Sequence, residues 1–97
     1  MAAVHVDCKL FGPFRDDAGV EDVGGEYEPD TTVEELLRGL EAEYPSLDGR
    51  LVDEEAGETE GSTVVTVDEK NVTHLDGLAT ELEDGDVVRI VPSVYGG

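Results

Sequence analysis

Between Val4 and Leu10 the residues VHVDCKL alternate, with Val4, Val6, Cys8 and Leu10 on one face and His5, Asp7 and Lys9 on the other. A period of two with one apolar face predicts a half-buried strand. The stretch FGPFRDDAGVEDVGG that follows is turn-rich, with Gly12-Pro13 and Gly24-Gly25 as punctuation. A second strand around Asp22 to Glu28, carrying Val23 and Tyr27, then completes a hairpin of long connection. In TTVEELLRGLEAEYP the period changes: Val33, Leu36, Leu37, Leu40 and Tyr44 fall on one helical stripe. Thr32 is a good N-cap, Glu35 three residues on completes a capping box, and Pro45 ends the helix. Leu47 and Leu51 are expected to tuck under the sheet as the chain crosses back.

Residues 53–62, DEEAGETEGS, carry five carboxylates and no apolar side chain larger than Ala, which predicts an exposed, mobile loop. Thr63 to Asp68, TVVTVD, is rich in β-branched residues and reads as a buried strand. DEKN is a turn, and Val72 to Leu75 a short strand or extended piece. Leu78 and Leu82 anchor a compact turn, and Glu83-Asp84-Gly85-Asp86 turns the chain into DVVRIVP. The run Val87 to Val91 is apolar except for Arg89, as expected of a central strand covered on both faces or nearly so. Pro92 ends it, having no N–H to donate. The predicted fold class is α+β: a mixed sheet of four to five strands with one main helix across one face.

Composition adds a constraint that the pattern does not show. The 97 residues make one domain, with 14 Val and 9 Leu, two Phe and no Trp, so its core is modest and aliphatic. Against 25 Asp and Glu stand six Lys and Arg, a net charge of −19. The acidic residues are spread along the whole chain, and a body so charged repels itself in ordinary salt. At molar salt the Debye length falls to about 3 Å and the repulsion is screened. This is the surface of a halophile's protein. High charge with modest hydrophobicity also marks disorder, but a capping box, a helical stripe and bounded strand patterns argue against it.

Six cations cannot build a basic patch, so nucleic acid and anionic membrane are poor partners. The sequence has no signal peptide and no apolar run long enough to span a bilayer, which points to the cytoplasm. Cys8 is the sole cysteine and excludes an internal disulfide. Its place in the first strand's alternation makes it a packing residue before a nucleophile. His5 and His74, far apart in sequence, make no metal set with one cysteine. With no base beside a nucleophile, the expectation is a chain that is not an enzyme and needs no cofactor.

The sequence closes on Val94-Tyr95-Gly96-Gly97. Two glycines add nothing to a core and cost backbone entropy when ordered. Either they are incidental, or the terminal carboxylate is the working group and must enter a narrow site elsewhere.

KLFGPFRDDAG near the start, the helix TTVEELLRGLEAEYP, the unit LATELEDGDVVRIVPSV and the terminal Gly-Gly together resemble the ubiquitin-like β-grasp family. The likeness is to its prokaryotic sulfur-carrier and modifier branch, which includes the small archaeal modifier proteins and the small subunit of molybdopterin synthase. HLDGLATELEDGD looks especially like the haloarchaeal modifiers. The resemblance implies a β-grasp roll over residues 1–92 and a flexible tail over 93–97. It also implies that the carboxylate of Gly97, preceded by Gly96, is adenylated with ATP by a partner of the ubiquitin-activating type. The activated glycine then joins a lysine on a target protein, or becomes a thiocarboxylate that donates sulfur to molybdopterin or tRNA. Pro92, Ser93, Val94 and Tyr95 are the tail residues implied to dock. The usual pair of prolines and small residue before the glycines is replaced by Val91-Pro92-Ser93-Val94-Tyr95. Tyr95 would crowd the channel of a molybdopterin synthase large subunit unless it points outward, as alternate side chains of an extended tail do. That favours the modifier role over the cofactor-sulfur role.

Lys70, in the DEKN turn, and Lys9, on the outer face of the first strand, are the candidate acceptors for another modifier, with a plain solubilising role as the default for each. The sheet face away from the helix, with Arg89, Val91 and Val94, is the candidate docking surface. The competing function is a β-grasp interaction module that is never activated and whose glycines are incidental.

Overall fold

The computed structural model describes residues 3–53, 55, 57–59 and 63–92. In chain order its elements are β1 (Val4–Leu10), α1 (Pro13–Ala18), β2 (Asp22–Tyr27), α2 (Val33–Glu43), β3 (Val52–Asp53), β4 (Glu58–Thr59), β5 (Thr63–Val67), β6 (Lys70–Asn71) and β7 (Val87–Pro92). The main sheet has the order β2-β1-β7-β5-β6. Its central pair, β1 and β7, is parallel, and every other pairing is antiparallel. The strands β3 and β4 form a separate two-stranded ribbon.

The alternation in β1 puts Val6, Cys8 and Leu10 in the core with no exposure. Val65 and Val67 of β5 and Val88 and Ile90 of β7 extend that face, and Val33, Leu36, Leu37 and Leu40 of α2 cover it. Leu47 and Leu51 are fully buried beneath the crossing chain, as the pattern predicts. The helix begins where expected: the Glu35 N–H donates to the Thr32 hydroxyl at 3.4 Å. Only half of the capping box forms, because the Glu35 carboxylate meets the Thr32 hydroxyl and not its backbone N–H. The Val33 N–H is taken by the Thr80 carbonyl (2.9 Å), and the Leu82 N–H by Thr31 (2.9 Å), so the segment before β7 holds the start of α2. At the other end the Glu41 carboxylate accepts from the N–H groups of Gly49, Leu51 and Val52 at 3.0, 3.1 and 3.3 Å. One side chain thus satisfies three loop donors and fixes the path that buries Leu51.

Four expectations need correction. The stretch after β1 is not only turns: Pro13 at the first helical position and Gly19 in the left-handed conformation bound a short helix. That helix buries Phe14 and is pinned by Arg50, which pairs with Asp17 and lies 5.0 Å over the Phe14 ring. The piece at Val72–His74 is a 3₁₀ turn capped by the Asn71 side chain, while the short strand is Lys70–Asn71 just before it. The acidic 53–62 stretch contributes one end of a ribbon, with Asp53 opposite Glu58. Finally, β7 is covered on one face only: Val88 and Ile90 are buried, whereas Val87, Arg89 and Val91 alternate with them as half-buried residues. The apolar run in β7 therefore leaves valines on an outer face, where coverage by the domain itself ends.

Candidate functional site

Strand β7 brings the chain to Pro92 at the end of the sheet, paired with Thr63 of β5. The β1–α1 corner supports this exit on its other side. Phe11 donates its backbone N–H to the Ile90 carbonyl (3.1 Å) and leaves its ring 37% exposed. Gly12 follows at φ +58°, and a Cβ there would sit 3.3 Å from Pro92 Cγ. Both conformation and close approach demand glycine at position 12. The Gly-Pro signal marks this corner in the sequence, but its contact with Pro92 bridges 80 residues and has no local signature. Ser93, Val94, Tyr95, Gly96 and Gly97 lie outside the described residues.

The pleat and the strand registers assemble the sheet's outer face. Asp22 stands opposite Lys9, Lys9 opposite Arg89, Arg89 opposite Thr66, and Thr66 opposite Asn71. The adjoining pair toward the exit is Val91 with Val64. Lys9 is tied to Asp22 at 3.0 Å. Lys70 is exposed on the edge strand β6. Of the two histidines, His5 meets Asp7 at 3.2 Å on this outer face, while His74 is exposed in the 3₁₀ turn after β6. Cys8 is buried in the core, and burial, aided by the charge of Asp22, pushes its thiol up to about 12. A thiol so held stays protonated at neutral pH and is no nucleophile.

One electrostatic device at the start of β7 escaped sequence reading. Asp68, at φ +50°, exchanges backbone bonds with Val87: its N–H donates to the Val87 carbonyl, and its carboxylate accepts the Val87 N–H, both at 2.9 Å. Asp86, almost fully buried, accepts the Glu83 N–H at 2.7 Å. Burial first, then the hydrogen bond and charge of Asp68, raise the Asp86 carboxyl, whereas the Val87 N–H and then the Asp86 hydrogen bond lower that of Asp68. Of the two, Asp86 is therefore the carboxyl that takes a proton first as pH falls. A raised carboxyl stabilises the fold while protonated, and that contribution is lost as pH rises through its folded value. Asp86→Asn imitates the protonated form at every pH. We expect it to raise the thermal midpoint at pH 7 by about 4–8 °C, equivalent to about 1 kcal/mol. The gain should shrink toward zero in acid, where the native residue is protonated too; a lower midpoint at pH 7 would contradict the upward shift of Asp86.

Among the described residues no helix is long and apolar enough to cross a membrane, and no three His, Cys, Asp or Glu side chains gather as a metal site. What the geometry offers is a platform and an exit strand, with no assembled nucleophile and base beside them. The profile of the ThiS family matches residues 8–97. The chain belongs to that family. Small archaeal modifier protein 3 of Haloferax volcanii is 39% identical over 94 residues, covering 97% of this chain and all of that one. The sulfur carrier protein CysO of Mycobacterium tuberculosis is 36% identical over 67 residues, 68% of this chain and 72% of that one. In the crystal structure of the Amycolatopsis orientalis BexX/CysO complex, a chain of 29% identity superposes with a TM-score of 0.77, covering 95% of this chain and 99% of its own length. The mixed five-stranded sheet with one main helix across it is the ubiquitin-like β-grasp fold of this ThiS-family chain. Its homologues are small modifiers and sulfur carriers and not enzymes in their own right.

Proposed function

We propose that this ThiS-family chain is a ubiquitin-like modifier and sulfur carrier whose reactive atom is the carboxylate carbon of Gly97. The observation that carries the reading is the family match running through Gly97, beyond the end of the folded sheet at Pro92. Residues 1–92 act as the body and 93–97 as the tail, which, if extended, reaches about 17 Å past Pro92. That length carries a carboxylate into another protein's cleft while the body stays outside. Gly96 and Gly97 present no Cβ to the walls of such a cleft.

The chemistry requires a partner. A carboxylate is a poor acyl donor, because its oxygen is a poor leaving group. A carboxylate oxygen of Gly97 attacks the α-phosphorus of ATP on an adenylating enzyme, and pyrophosphate leaves. The acyl group of the adenylate then passes, with AMP as the leaving group, either to a lysine amine, which loses a proton and forms an isopeptide bond, or to a sulfide-level nucleophile, forming a thiocarboxylate. The chain is the substrate at every step. Its partners are the adenylating enzyme, targets modified on lysine and, for molybdopterin, a synthase large subunit that must accommodate Tyr95. Lys70, exposed on its edge strand, is a better acceptor than Lys9, which is held by Asp22. The proposed dependence on ATP supports a cytoplasmic location.

The test uses the native host. Trypsin cuts after Arg89 and leaves the peptide IVPSVYGG. In a tagged copy recovered from cells, mass spectrometry is expected to find this peptide on lysines of other proteins, or with sulfur replacing one carboxylate oxygen. Recovery of only the free acid, under conditions that demand sulfur transfer, would overturn the proposal in favour of an unactivated interaction module.

A further inference from the structure

The six cations of this chain are not equivalent. Lys9 pairs with Asp22 at 3.0 Å, Arg15 with Asp16 at 3.8 Å, Arg38 with Glu34 at 2.8 Å, and Arg50 with Asp17. Among the described residues Lys70 and Arg89 make no ion pair, although 25 carboxylates are available to the chain. Lys70 is exposed at the sheet edge, where solvent accounts for it. Arg89 is different. It is half-buried at the centre of the outer face, with Val87 and Val91 beside it on β7 and Lys9 and Thr66 opposite on the flanking strands. Asp68 lies within electrostatic reach, but its carboxylate is committed to the Val87 N–H and to Asp86.

No buried side-chain nitrogen among the described residues lacks a partner, so the Arg89 guanidinium is open to water in the free chain. A partner seated over Val87 and Val91 would strip that water from a cation with no ion pair of its own, at a cost in free energy. The usual compensation is a carboxylate in the same apolar setting. Salt decides the kind of partner. Where the Debye length is about 3 Å, exposed charge pairs contribute almost nothing, and only a pair shielded from water keeps its strength. Arginine suits that use, because its guanidinium is weakly hydrated and binds a carboxylate through two parallel hydrogen bonds.

We propose that Arg89 is the specificity-determining contact of the outer sheet face. It receives a carboxylate set in an apolar rim on the adenylating enzyme, with Val64, Val87 and Val91 sealing the pair from water. This rests on the activation reading above and deepens it. The face is continuous with the exit strand, since Val91 immediately precedes Pro92, so a partner seated on Arg89 also receives the tail.

The experiment measures ATP–pyrophosphate exchange by the host's adenylating enzyme at 2 M KCl, with the full chain as the varied substrate. Arg89→Gln is expected to raise KM for the chain 10- to 100-fold with kcat within about twofold, and Arg89→Lys to fall between. The ratio of variant to native KM should persist from 1 to 3 M KCl, which a merely steering charge would not show. Circular dichroism at the same salt confirms that the variants fold. A KM within twofold of native for Arg89→Gln overturns the assignment. So does a change confined to self-association in sedimentation, which would make the occupant a second copy of this chain. If the native chain supports no exchange, or deletion of Gly96 and Gly97 leaves exchange intact, the activation reading itself falls, and this proposal with it.

Discussion

Lowering the salt below about 0.1 M is expected to unfold the domain, with loss of the helical circular dichroism signal in one cooperative step. The net charge is −19 on a body whose Cα radius of gyration is 12.4 Å. Placing nineteen charges on a sphere of that scale costs on the order of 10 kcal/mol at 0.1 M salt, and severalfold less at molar salt. Expansion of the chain relieves part of that cost, and the whole stability of a small domain is only about 5–15 kcal/mol. The core opposing it is aliphatic: among the described residues eighteen apolar ones are buried, with Phe14 as their one aromatic. The surface supplies little relief, because the described ion pairs are largely exposed and worth little. A titration of ellipticity and thermal midpoint against KCl checks this. An unchanged spectrum and midpoint from 20 mM to 2 M would show that charge repulsion is not a controlling term.

On the reading proposed above, deleting Gly96 and Gly97 should abolish adenylation and conjugation while leaving the thermal midpoint within about 1 °C of native, since neither glycine carries a side chain to pack. Among the described residues none of the buried core lies beyond Ile90. Deleting Gly97 alone leaves a glycine carboxylate but shortens the tail by about 3.5 Å. A displacement of even 1 Å in a reacting atom can cost about 100-fold, so the single deletion should already lower exchange by at least that factor. Adding glycine at 1 M to the truncated chain should restore nothing, because tethering and docking, not the carboxylate alone, supply the rate. Retention of conjugation by the double deletion would move the reactive group elsewhere in the chain.

Much of this architecture was legible before any coordinates. The alternation in VHVDCKL, the β-branched run TVVTV and the stripe of Val33, Leu36, Leu37 and Leu40 supply the buried faces that meet in the core, although in TVVTV only Thr63, Val65 and Val67 are buried. Those signals are local and periodic. What the sequence hid is long-range. Gly12 abuts Pro92, Glu41 gathers three N–H groups from residues 49–52, and Asp68 lies beside Asp86 and helps raise its carboxyl. In each case the residue type is commonplace and only the fold assigns it a partner; for Asp68 and Asp86 that partnership is the opposite shift of two neighbouring carboxyls. The short helix at Pro13–Ala18 was the avoidable miss, as Pro13 and Gly19 bracket it with ordinary start and stop signals. The one-sided burial of β7 was hidden for a different reason. Valine suits a covered strand and a docking face equally well, so an apolar run does not say which of its faces the domain itself covers.

The parallel pairing of β1 with β7 joins the first strand and the last at the centre of the sheet. Every intermediate element must be made and placed before that seam closes, and the strand that closes it is the one leading into the tail. A half-made or misfolded copy therefore has no outer face around Arg89 and no anchored exit at Pro92. On the activation reading proposed above, an enzyme that docks on this seam before it takes the tail would spend its ATP only on chains whose first and last described strands have paired.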